Sequence, residues 1–117
     1  LINKLLILTL NVWMMFSNLN LITEYAGMLM LPNDIADILE IDRKEFISEL
    51  NDSQSEVRKA FYKGYLKTEL RIRQKSIGKH NEDNDNEILI VTDVEEAKYN
   101  SEVLNNYKSK LIIQLYA

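Results

Sequence analysis

Apolar positions along the chain recur at helical rather than strand spacing. The first sixteen residues, Leu1 to Phe16, are almost continuously apolar, broken only by Asn3, Lys4, Thr9 and Asn11. From there Leu19, Ile22, Ala26 and Leu29 mark a short helix that ends near Gly27–Met30. Pro32 suits the opening of a second helix, with Asn33 as a candidate cap and Ile35, Ala36, Ile38 and Leu39 as its apolar face. Asp42, with Glu45 three residues on, is a capping-box variant that opens a third helix. Phe46, Ile47 and Leu50 form that helix's buried side, and Asn51-Asp52-Ser53 closes it. Asp52 or Ser53 is then positioned to cap a long helix from about Ser55 to Lys79. Its apolar side runs through Val57, Ala60, Phe61, Gly64, Tyr65, Thr68 and Ile72. A glycine inside a helix costs about 1 kcal/mol relative to alanine, so Gly64 implies the close approach of another helix. Nothing between Leu19 and Leu70 alternates like a strand, and one proline with three glycines favours helices over hairpins.

The tail is less uniform. His80 to Glu87 is polar and turn-prone, a solvated linker with His80 ending the long helix. The Asp83-x-Asp85-x-Glu87 spacing imitates a calcium loop, but Ile88 stands where the sharp turn needs glycine, and Val94 where the loop needs glutamate. Ile88 to Val91 fits either a short buried strand or the opening of a helix. Thr92 with Glu95 is a second capping-box pattern and starts a final helix at about Asp93. Val94, Ala97, Val103, Leu104, Tyr107, Leu111, Ile112 and Leu115 give that helix an apolar stripe for packing on the basic helix or on another copy. The expected architecture is mainly all-α. An apolar segment (1–18) precedes a three-helix unit (19–53), a long helix (54–80), an acidic linker (81–92) and a C-terminal helix (93–117).

The N-terminal segment admits three readings. It is short of the roughly 20 residues of a membrane span. Lys4 and the apolar run imitate a signal peptide, yet no small-x-small cleavage site follows. It also suits a packing or interfacial helix. The third reading is that residues 1–14 are not native coding sequence, with Met14 or Met15 as the start.

Composition removes several classes of chemistry. The chain has 117 residues, 46% hydrophobic, so it supports one domain with a modest core rather than a disordered tail. Without cysteine there is no disulfide, zinc ribbon or thiol nucleophile, and a single histidine leaves little for a triad or metal site. No phosphate-binding glycine loop is present, nor a nucleophile–base pair, and no carboxylate cluster has metal spacing outside the linker. No enzymatic activity and no cofactor are therefore expected. The net charge of −4 conceals blocks: residues 31–53 carry −5, residues 54–80 carry +6 and residues 81–98 carry −6. Such asymmetry bears on partners or self-association rather than on fold.

The basic block is periodic. Lys59, Lys63, Lys67, Arg71, Lys75 and Lys79 recur at four-residue intervals, with only Glu56 and Glu69 to offset them locally. Like charges at that spacing destabilise a helix by a few tenths of a kcal/mol per pair, so an anion that neutralises them is the natural complement. That anion is nucleic acid or an acidic protein surface, residues 81–98 among the candidates, and the alternative is a solvated face. Phe61, Tyr62 and Tyr65 among the lysines are better suited to packing than to base stacking. Upstream, the two short helices joined by Glu40-Ile41-Asp42 have the outline of a helix-turn-helix. In that arrangement a core of Ile35, Ile38, Leu39, Ile41, Phe46 and Leu50 holds the third helix toward a major groove, with Arg43 and Lys44 at its leading end. The same pattern also describes a plain three-helix packing unit.

Tyr25-Ala26-Gly27, Pro32, Ile35-Ala36, Leu39, Ile41-Asp42, Phe46, Ser55, Val57 and Lys59-Ala60-Phe61-Tyr62-Lys63-Gly64 together resemble phage small terminase subunits and related prophage proteins. The likeness covers about residues 21–79; Glu40 stands where many such turns have glycine, and the chain after Gly78 follows no family pattern. The resemblance implies a non-enzymatic, DNA-binding protein of phage DNA packaging. Such a subunit binds double-stranded DNA, forms a homo-oligomer, and recruits a large terminase subunit inside the bacterial host's cytoplasm, with no membrane partner. Arg43, Lys44, Lys59, Lys63, Lys67, Arg71 and Lys75 are the expected nucleic-acid contacts. The competing expectations are a helix-turn-helix transcriptional regulator of a mobile element and a helical adaptor that binds protein alone.

Overall fold

The computed structural model describes the backbone of residues 2–81 and 87–116; the side chains of residues 2, 7, 8, 11, 12 and 76–94 are outside the description. The described chain is all-α: α1 (Ile2–Ser17), α2 (Leu19–Gly27), α3 (Pro32–Ile38), α4 (Arg43–Asn51), α5 (Glu56–Asn81) and α6 (Glu87–Tyr116).

The core is built around α2 and α5, which run in the same direction and approach more closely than ordinary side chains allow. A Cβ on Gly64 would lie 1.9 Å from the Thr23 carbonyl oxygen, and one on Gly27 would lie 3.4 Å from the Gly64 oxygen. The expected reason for a mid-helix glycine is thus met at Gly64. Two threonine hydroxyls lace the same crossing, Thr23 donating to the Ala60 carbonyl at 2.9 Å and Thr68 to the Gly27 carbonyl at 2.6 Å. Ile22, Ala26, Ile35, Phe46, Leu50, Val57 and Phe61 are fully buried around it.

Both ends of the α3 connection are Schellman-type helix stops. At the end of α2, Met30 N donates to Tyr25 O and Leu29 N to Ala26 O, with Leu29 at φ 61°. At the end of α3, Ile41 N donates to Ala36 O and Glu40 N to Asp37 O, with Glu40 at φ 57°. Left-handed backbone usually calls for glycine, yet the glycines at 27 and 64 are spent on the helix crossing instead.

Three expected caps are settled by hydrogen bonds. Asp42 caps α4 as expected, its carboxylate accepting from Glu45 N at 3.0 Å. The cap of α5 is Ser55, not Asp52 or Ser53: its hydroxyl accepts from Val57 N and Arg58 N at 3.1 and 3.3 Å. Asn33 is not the cap of α3 but lies inside it; Leu31 holds that position, and Asn33 N donates to the Gln114 side chain of α6 at 3.0 Å.

Helix α6 starts at Glu87, so Ile88 to Val91 open a helix, and the Thr92–Glu95 pattern lies within it rather than at its start. It runs antiparallel to α5, as the Tyr65–Tyr107 stack at 5.6 Å and the Lys75–Glu96 contact at 3.9 Å show. Leu104, Tyr107, Leu111 and Leu115 are its buried stripe, while Val103 and Ile112, expected to belong to it, are exposed. Ile38 is likewise exposed, and Ile47 only half-buried, although both were expected in the core. The calcium-like spacing begins on residues 82–86, which lie outside the described residues. No described helix is long and apolar enough to cross a membrane.

Candidate nucleic-acid interface

The expected contact residues fall in two places. Arg43 is the first residue of α4, and its guanidinium reaches back across the turn to Asp37, with Nε to Oδ1 at 2.9 Å and Nη2 to Oδ2 at 2.5 Å. The pairing holds the Asp37 carboxyl below its usual range and raises Arg43, chiefly through the hydrogen bond itself. Arg43 therefore locks α3 to α4 and presents a guanidinium whose charge is already matched. Lys44 is exposed beside it, at a shallow depression lined by Asn33, Arg43, Lys44, Ile47, Ser48 and Gln114.

Gln114 in that lining carries a finding that sequence reasoning missed. The C-terminal end of α6 lies along the α3–α4 unit, tied by the Asn33–Gln114 bond and by Asn51 Nδ2 donating to the Leu115 carbonyl at 2.9 Å. The expected projection of α4 free of its surroundings is thus modified, since α6 flanks it. These tying residues are polar, isolated in sequence and 81 and 64 positions from their partners, so no periodicity marks them.

The second place is α5. Each four-residue step advances about 40° around a helix, so Lys59 and Lys75 point about 160° apart. Lys63 and Lys67 share the open side of α5 with exposed Leu66 and Leu70. Arg71 and Lys75 turn toward a groove of about 400 Å³ bounded by Gly27, Met28 and Leu29 of the α2 end and by Asn100 of α6. The rungs also differ in pairing. Lys59 meets Glu56 at 3.2 Å, and Lys75 meets Glu96 of α6 at 3.9 Å. Lys63, Lys67 and Arg71 make no ion pair among the described residues. The side chain of Lys79 lies outside the description.

Other cations near the ladder are structural. The Arg58 guanidinium donates to the Leu50 carbonyl at 2.5 Å and lies 4.8 Å from the centre of the Tyr62 ring. Arg73 and Lys108 converge on Glu69 at 2.7 and 3.5 Å. Phe61 and Tyr65 are buried and Tyr62 is half-buried under Arg58, so these aromatics pack the bundle as expected. Burial and the neighbouring Glu69 push the Tyr65 hydroxyl far above its usual range.

The two groups do not form one patch. Gln114, beside Lys44, and Glu96, beside Lys75, are 18 residues apart on α6, roughly 27 Å along its axis. Only the Lys59 end of α5 comes level with α4. No family model matches the chain, and no curated protein or solved structure matches it.

Proposed function

We propose that the chain is a non-enzymatic DNA-binding subunit of the small-terminase kind, which self-associates on viral DNA and recruits a packaging motor. The observation that carries this reading is the run Lys63, Lys67 and Arg71, three cations one turn apart that make no ion pair among the described residues. A phosphate backbone supplies the missing anion and relieves the repulsion along α5. Arg43 is committed to Asp37, so Lys44 is the freer contact on α4. With α6 alongside α4, backbone contact by α5 supplies affinity, and base reading is confined to the exposed strip around Lys44 and Ser48.

The test is a salt titration of duplex binding. Wild-type chain binds at low salt, with a logarithmic slope that falls by about 0.9 for each phosphate contact removed. Changing Lys63, Lys67 and Arg71 together to Gln weakens binding to all duplexes alike and lowers that slope by about 2.7. Absence of binding at low salt would leave the adaptor reading, which the Lys75–Glu96 pair favours because it shows an acidic segment already meeting the ladder. A dimer on one defined operator would instead favour the regulator.

A further inference from the structure

Helix α1 touches the bundle through Met14 and Met15, of which Met15 is fully buried. Its opposite side carries Leu5, Leu6, Leu10, Trp13 and Phe16, exposed by 64, 59, 54, 64 and 48%. At about 100° per residue these five cover an arc of about 140°, interrupted only by Thr9 and Ser17. The Thr9 and Ser17 hydroxyls are turned back to the Leu5 and Met14 carbonyls at 2.7 and 3.1 Å, so both donate within the helix. Leaving such a face in water is costly, because a soluble monomer rarely exposes a continuous apolar patch larger than a few hundred Å².

We propose that this face is the contact between two copies of the chain, α1 against α1. The inference rests on the self-association in the proposed function and gives it a surface. Three features favour a second copy over a lipid surface. Leu6, Leu10 and Trp13 follow the four-then-three spacing of a helix–helix seam. A helix lying on a bilayer is rich in Lys and Arg on its polar face, whereas α1 carries Lys4 alone. The face itself bears no charge, so two copies meet about a twofold axis without like-charge repulsion. Five exposed side chains of this size offer on the order of 500 Å² per copy, and two copies together reach the roughly 1,000 Å² that a specific interface requires.

The experiment uses the full chain without DNA, so its result is independent of whether the chain binds a duplex. Multi-angle light scattering from low-micromolar concentration upward is expected to give at least twice the 13.7 kDa chain mass. The double variant Leu6→Glu, Leu10→Glu is expected to halve the wild-type mass while keeping a helical circular-dichroism spectrum, since neither side chain supports the core. Trp13 is the sole tryptophan, so wild-type emission is expected to shift to shorter wavelength as dimers form, and the variant's to stay put. A wild-type chain that stays at monomer mass overturns the proposal, as does a variant that keeps the wild-type mass. Wild-type chain that floats with phosphatidylserine vesicles while monomeric overturns it too, and gives the face to lipid.

Discussion

Gly64 is the residue on which the bundle most directly depends. Alanine there would gain about 1 kcal/mol of helix propensity. Its Cβ, however, would sit 1.9 Å from a backbone oxygen that cannot swing aside as a side chain does. Overpacking of this kind costs about 1–3 kcal/mol where neighbours can yield, and the Thr23 and Thr68 bonds hold these helices in place. Gly64→Ala should therefore lose about 2 kcal/mol net, read as a lower urea midpoint at unchanged slope. Gly64 was legible in the sequence because a mid-helix glycine has few other uses. The left-handed stops were not, because Leu29 and Glu40 occupy them in place of glycine. Glu40→Gly should relieve about 1–2 kcal/mol of steric cost and return part of it as unfolded-chain entropy. The expected result is a gain of up to about 1 kcal/mol in the same urea assay.

At the scale of elements, α5 and α6 are held together by a mostly buried carboxylate. The Glu69 side chain is 13% exposed. Burial alone would raise its pKa, but the Tyr65 hydroxyl, Lys108 and Arg73 outweigh that and hold it below the usual glutamate range. A group with a lowered native pKa contributes stability that is complete above its unfolded pKa and is lost as pH falls through the native one. Unfolding free energy should therefore decline as the solution is acidified through and below the ordinary glutamate range. Glu69→Gln should flatten that decline while lowering stability at neutral pH, as paired denaturation curves would show. The positions of α2 to α5 were readable from spacing and caps because those signals are local. Asp52, Ser53 and Ser55 are all capping residue types within four positions, and spacing alone does not choose among them; the Val57 and Arg58 amides pick Ser55. The packing of α6 against α3 and α4 was hidden for a different reason, since it depends on Gln114 and Asn51 meeting partners far along the chain.

For the whole molecule, the acid–base–acid blocks seen in the sequence become a spatial arrangement. The acidic segment that begins α6 folds back beside the distal end of the ladder, where Glu96 meets Lys75. At the proximal end Glu56 meets Lys59, which leaves the middle three rungs as the section with no ion pair among the described residues. Rotation around α5 reinforces that division. Lys63 and Arg71 lie about 80° apart, within reach of one duplex, whereas Lys59 and Lys75 lie about 160° apart and do not face the same rod. A ladder that looks uniform by spacing is therefore unequal in effect. If the middle rungs meet phosphate, Lys75→Gln should change duplex affinity and its salt slope far less than Lys67→Gln does. Glu96→Gln supplies the complementary measurement. It leaves Lys75 without that partner and removes a negative charge from the path of the backbone, so binding should tighten, most visibly at low salt where screening is weakest. An affinity that instead falls on Glu96→Gln would mean that the pair shapes the groove between α5 and α6. The ladder's distal end would then serve the fold rather than the duplex.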